Sequence, residues 1–233
     1  PLHPHRSIRQ SRSNRPMESS QHHRGVYRQV SPFLSFDRSM NPYGTPFFKP
    51  MVEYVQDHFQ STFYGYCNGD LLFHSFLHFT SSGKIETGAL KSRVFIVGRR
   101  LNYDHQNIVP IPTGIDAQDT FITKYAEQGY LFQTDAEDYF FFTRNALPWR
   151  FIVDVVVGRP GYDNYLVDYV YHRTNEIDLI DTTNASILSD ESDWLVLVVH
   201  QTDKDGSKAG FRNNPDLNWN LRLIGQNWYM GRT

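Results

Sequence analysis

The sequence predicts an all-β body, a sandwich or barrel of short strands, and three observations carry that prediction. Apolar and polar residues alternate over several short runs. Two further runs are apolar on both parities and rich in β-branched and aromatic side chains. Gly, Pro, Ser and Asp clusters punctuate all of them. At 233 residues the chain has a length that an all-β fold fills as one domain.

The chain opens on a segment with a different character. Residues 1–32 form a basic, Arg-rich arm, and residues 33–233 form the body. Arg6, Arg9, Arg12, Arg15, Arg24 and Arg28 stand against Glu18 alone, a net +5, which leaves −7 on the rest of a chain whose total is −2. With few apolar residues to bury, the arm is expected to be extended, or ordered only by a partner. Arg6, Arg9, Arg12 and Arg15 recur every third residue among Ser, Gln and Asn. Guanidinium forks in that setting bind phosphate without reading sequence, or lie along a neighbouring subunit. The arm has no apolar h-region, so it does not read as a secretory signal, and the start at Pro1 is that expected of a processed product.

Helix is a minority element in the expected body. Residues 47–59 are one candidate, with Pro50 in the first turn and Met51, Val55 and His58 or Phe59 at near-helical spacing. Residues 116–129 are a second, opened by Asp116 and closed by Gly129. Strands fill the remainder. Leu71, Phe73, Leu77 and Phe79 share one parity, with His74, His78 and Thr80 on the other. Leu217, Trp219, Leu221 and Leu223 alternate with Asn218, Asn220 and Arg222, so this stretch reads as a last strand. Residues 151–157 and 194–199 read as strands buried on both faces. Ser81-Ser82-Gly83-Lys84, Arg159-Pro160-Gly161 and Asp203-Lys204-Asp205-Gly206 supply turns.

The search for chemistry excludes more than it finds. A single cysteine, Cys67, rules out a disulfide framework and any zinc site built on several thiolates; in its apolar strand it reads as a structural thiol. The chain has no Gly-rich phosphate loop, no nucleophile elbow and no His-Glu-x-x-His helix. His74 and His78 lie about 13 Å apart if both sit in one strand, too far to share an ion. Asp203-x-Asp205-Gly206 has only a fragment of calcium-loop spacing and reads as a hairpin turn. Asp135, Glu137 and Asp138 read as a solvated loop before a strand at Tyr139, with a cation or a pair of catalytic carboxylates as the other reading. The sequon at Asn184 is expected to be unused. The chain is read as no enzyme, with no cofactor and no metal.

Four stretches, taken together, resemble the jelly-roll capsid proteins of picorna-like, positive-strand RNA viruses. Residues 59–74 carry an aromatic run and then Gly69-Asp70-Leu71. Residues 76–83 and 91–98 are similar to the next two strands of that family. Residues 139–149 end in Pro148-Trp149, an apolar-Pro-aromatic step. Residues 221–230 hold Gly225 and Trp228 in a Gly-polar-polar-aromatic close. The departures are Gln226-Asn227 where the family has Asp-Asp, and Cys67-Asn68 where it commonly has Trp-Arg; residues 159–193 match no part of it. The resemblance implies an eight-stranded antiparallel jelly roll of two four-stranded sheets, with one or two short helices and an extended amino-terminal arm. It implies cleavage from a polyprotein, and assembly with sister capsid proteins and further copies of itself into an icosahedral shell around genomic RNA. The location would be the virion, after assembly in the host cytoplasm.

With 17 Phe, 14 Tyr and 4 Trp, the chain holds more aromatic surface than one core of this size requires. Phe33, Phe36, Tyr43, Phe47 and Phe48, in Pro-punctuated segments beside the arm, are therefore expected at inter-subunit contacts. The competing readings are a carbohydrate-binding sandwich that stacks sugars on Trp149, Tyr162 and Tyr165, and a metal-bearing cupin-type barrel, whose His-x-His pair followed by Glu the chain lacks.

Overall fold

The computed structural model describes residues 39–74, 92–104, 109–134, 136–183, 198–202 and 214–225. All of them belong to one unit, Ser31–Thr233. The first helix, α1 (Phe48–His58), buries Phe48, Val52 and Gln56 at four-residue spacing, and it ends where the Phe59 N–H turns back to Val55 O. Strands β1 (Phe63–Cys67), β2 (Leu71–Phe73), β3 (Val94–Gly98) and β4 (Leu101–Asp104) follow. Helix α2 (Ile115–Gln128) buries Ile122, Tyr125 and Ala126, and leads into β5 (Tyr130–Leu131) and β6 (Tyr139–Thr143). Beyond a 3-10 turn at Trp149–Phe151 come α3 (Tyr162–Tyr171), β7 (Asp178–Asp181), β8 (Val198–Thr202) and α4 (Trp219–Ile224). Both helices expected from spacing are present within a residue or two of their expected bounds.

The strands form two four-stranded sheets, ordered β1-β6-β3-β7 and β2-β8-β4-β5. The sheets meet where Phe73 of β2 sets its ring edge-on against Tyr139 and Phe141 of β6, at 5.3 and 5.7 Å. This agrees with a β-sandwich of two four-stranded sheets, but the expectation of antiparallel pairing throughout is corrected. β7 runs parallel to β3, and β8 runs parallel to β4. Parallel neighbours need crossover connections, and one of these holds α3. Its Leu166, Val167 and Val170 join Phe95, Phe140 and Phe142 in the main core. Helix α3 and β7 thus occupy the 159–193 stretch that matched nothing in the sequence.

Two expected strands are absent. Residues 151–157 form no ladder beyond a single bridge between Val156 and Phe47. At Val156 the backbone is satisfied by a side chain: Asn220 Oδ1 accepts the Val156 N–H at 2.7 Å, and its Nδ2 donates to Val156 O at 2.9 Å. The 217–223 stretch contains α4, whose buried residues are Asn220 and Ile224, four apart, while Leu223 is 46% exposed. With α3, α4 and the 3-10 turn added, helix exceeds the one or two short elements expected.

Candidate functional site

Two short links carry the chain from one sheet to the other, side by side. Asn68, Gly69 and Asp70 join β1 to β2; Arg99 and Arg100 join β3 to β4. The register places them together, because Tyr139 of β6 pairs with both Cys67 and Gly98, while His200 of β8 pairs with both Leu71 and Asn102. Main-chain bonds tighten the seam: Asn68 N–H reaches Asp138 O at 3.3 Å, and Asp138 N–H reaches Gly98 O at 3.1 Å.

Polar side chains fill this seam. Arg100 is buried, with its Nη1 on Asp138 Oδ1 and its Nε donating to Asn102 Oδ1 at 2.8 Å. Its guanidinium lies 3.9 Å from the Phe132 ring centroid. Asp138 also accepts from Asn68 Nδ2 at 3.3 Å and from the Arg100 backbone N–H at 3.3 Å. Burial pushes the Asp138 carboxyl above its usual range, against the opposing pull of Arg100. Beside this pair, His200 Nε2 lies 3.0 Å from Asp70 Oδ2. That hydrogen bond is the largest influence on Asp70 and holds its carboxyl below the usual range; partial burial opposes it and the Arg100 charge assists. Among the described residues, the buried His200 Nδ1 has no hydrogen-bond partner, and Asp70 is the ring's polar contact.

The exposures of this pair decide what it can do. The Asp70 side chain is 64% exposed and the His200 side chain 6%. An imidazole acting as general base must itself reach the substrate, and here the carboxylate faces outward instead. An outward carboxylate backed by an inward imidazole has the form of two ligands of one ion. Two atoms about 2.1 Å from a metal and at right angles around it lie about 3 Å apart. Among the described residues no three His, Cys, Asp or Glu side chains form a metal-holding group. An ion here would therefore complete its shell with water or ligand oxygens.

Of the residues expected from sequence to matter, Glu137 and Asp138 are corrected from a solvated loop to buried positions. Glu137 is 2% exposed and accepts from Asn164 Nδ2 of α3 at 3.0 Å. Phe48 is corrected from an inter-subunit contact to the core: it is 1% exposed, with Tyr66, Phe140, Trp149 and Tyr162 around its ring. Phe47 is half-buried against Trp219 at 6.1 Å, and Tyr43 is 54% exposed. Trp149 and Tyr162 are buried, and Tyr165 lies half-buried on α3, so none of the three is a loop ring free to stack on a sugar. Cys67 is exposed on β1 rather than enclosed by it. His74 lies 3.8 Å from Asp119. Arg6, Arg9, Arg12, Arg15, Phe33, Phe36, His78, Asp135, Asn184 and the 203–206 turn lie outside the described residues.

The Asp70–His200 and Arg100–Asp138 pairs were missed from sequence, since the partners are 130 and 38 residues apart. The one local signal was Asn68-Gly69-Asp70, two polar side chains on a glycine turn between strands.

No protein-family model, curated protein or solved structure matches the chain. Among the described residues, no helix is long and apolar enough to cross a membrane.

Proposed function

We propose that the body binds a divalent transition-metal cation of the Mn²⁺ or Zn²⁺ type between Asp70 and His200, and through it an oxyanion-bearing ligand. The observation that carries this reading is the 3.0 Å approach of an exposed carboxylate to a buried imidazole. With one carboxylate and one imidazole from the protein, waters and ligand oxygens would complete the shell. Arg100 and Asp138 hold the seam in shape behind the pair. Titrating Mn²⁺ into the intact chain, followed by electron paramagnetic resonance, tests it. Stoichiometric binding, weakened about tenfold or more in Asp70→Asn and in His200→Gln, is the expected result. Absence of binding by the native chain, or equal binding by Asp70→Asn, sinks the reading.

A second reading keeps the assembly role: a jelly-roll capsid subunit whose arm, through Arg6, Arg9, Arg12 and Arg15, meets RNA or neighbouring subunits. It is favoured by two four-stranded sheets between which β1, β2, β3 and β4 alternate. Electron microscopy of native material discriminates: closed particles support it, and a monodisperse monomer at high concentration removes it.

A further inference from the structure

Arg99 holds a buried positive charge that no described acid balances. The residue is 9% exposed. Its backbone N–H donates to Thr183 Oγ1 at 3.0 Å, and its Nη1 donates to Phe132 O at 3.0 Å. Its Nε is buried and has no hydrogen-bond partner among the described residues. A guanidinium does not shed its proton within any ordinary pH range, and a buried ion lacking a counter-charge is strongly disfavoured. The neighbouring Arg100 does not share this problem, because Asp138 neutralises it. Two cations therefore flank Phe132, Arg100 over its ring and Arg99 on its carbonyl, with a carboxylate on one of them.

The unused edge of Arg99, Nε with Nη2, is the side of the fork that takes two oxygens of one anion in parallel.

We propose that Arg99 binds an oxyanion, a phosphate or a carboxylate, through Nε and Nη2, in a site separate from the Asp70–His200 pair. The site would take the anionic group of a larger ligand or a free ion, and its occupancy would offset the buried charge.

Isothermal titration of inorganic phosphate, and in parallel of acetate, into the metal-free intact chain tests this and distinguishes the two chemistries. Saturable binding of either anion, weakened about tenfold or more in Arg99→Gln and unchanged in Asp70→Asn, is expected. Binding lost in Asp70→Asn but kept in Arg99→Gln would place the anion at the other pair and overturn the proposal. Should Arg99→Gln fail to fold, the Nε–H resonance of Arg99 in the native chain serves instead. It shifts saturably with the bound anion if the site exists; a resonance unmoved by both anions overturns it.

Discussion

The Tyr139 hydroxyl and the Thr182 Oγ1 share a buried hydrogen bond of 2.7 Å directly over Gly98. Thr182 Oγ1 also donates to Val97 O at 3.0 Å, so the three groups clamp the end of β3 between β6 and the turn after β7. Burial pushes the Tyr139 phenol well above its usual range, the Thr182 bond opposing, which keeps it a neutral hydrogen-bonding group. The clamp requires a residue without a side chain at position 98, since a methyl group there would overlap the Tyr139 oxygen and approach Thr182 Oγ1 to 2.7 Å. Gly98→Ala should cost about 3 kcal/mol or more, measured by denaturant unfolding. Tyr139→Phe in the same chain should recover part of that loss, and strictly additive costs would show that the overlap is not the cause.

A second clamp ties distant loops together through Asp216. Its carboxylate accepts from Asn41 Nδ2 at 2.8 Å, Thr45 Oγ1 at 2.5 Å and Arg159 Nε at 2.6 Å. Desolvation alone would raise its pKa, but these donors prevail and bring it to about 2. A carboxyl lowered on folding stabilises the native state above its unfolded pKa of about 3.9 and loses that contribution as pH falls through the folded value. Stability should therefore drop by up to about 2 kcal/mol between roughly pH 5 and pH 2, screening by solvent keeping it at or below that figure. Asp216→Asn should flatten this segment of the stability-against-pH curve; an unchanged slope would assign the acid sensitivity elsewhere.

Asn220 substitutes for a missing strand partner. Its amide satisfies both polar groups of Val156 and also donates to Arg159 O at 3.0 Å, with no exposed surface. Asn220→Ala leaves these groups buried and unpaired, and should cost about 2–4 kcal/mol. Asn220→Leu should do no better, which separates hydrogen bonding from volume; full stability in the Leu variant would contradict the argument.

This residue also shows why part of the fold was illegible in the sequence. Leu217, Trp219, Leu221 and Leu223 alternate as a strand would, yet the burial that matters is Asn220 with Ile224, one helical turn apart. A polar residue buried for its hydrogen bonds gives no apolar periodicity, so the pattern favoured the wrong period. The 151–157 run failed for a related reason: Val156 meets that side chain where a ladder partner was expected. α1 and α2 were legible because their apolar spacing and end residues agreed locally. At the site, Asn68-Gly69-Asp70 was visible as a turn, but the pairing of Asp70 with His200 depends on β2 meeting β8, which no local pattern encodes.

Phe48 separates an aromatic of the core from one reserved for a neighbouring subunit. Its ring meets Tyr66 and Phe140 edge-on at 5.3 and 6.3 Å, and Trp149 and Tyr162 lie within 6.1 Å. Phe48→Ala should cost the isolated body about 3–5 kcal/mol. A loss confined to self-association, with unfolding unchanged, would return the ring to an interface.

Asp70 and Asp138 occupy one seam but should respond in opposite ways to loss of charge. Asp138 is buried against a buried Arg100, their side chains 4% and 7% exposed. Asp138→Asn strands a guanidinium in the interior and should cost about 3–5 kcal/mol, despite the raised pKa of the carboxyl it removes. Asp70 faces solvent, and an amide in its place can still hydrogen-bond His200, so Asp70→Asn should change unfolding free energy by less than about 1 kcal/mol. The same substitution should weaken Mn²⁺ binding about tenfold or more, because the amide that replaces the carboxylate is a far weaker ligand. Paired denaturation and Mn²⁺ titration of the two variants check both halves. A large stability loss in Asp70→Asn would make the His200 contact a structural bond, and the seam would then owe its polar character to packing alone.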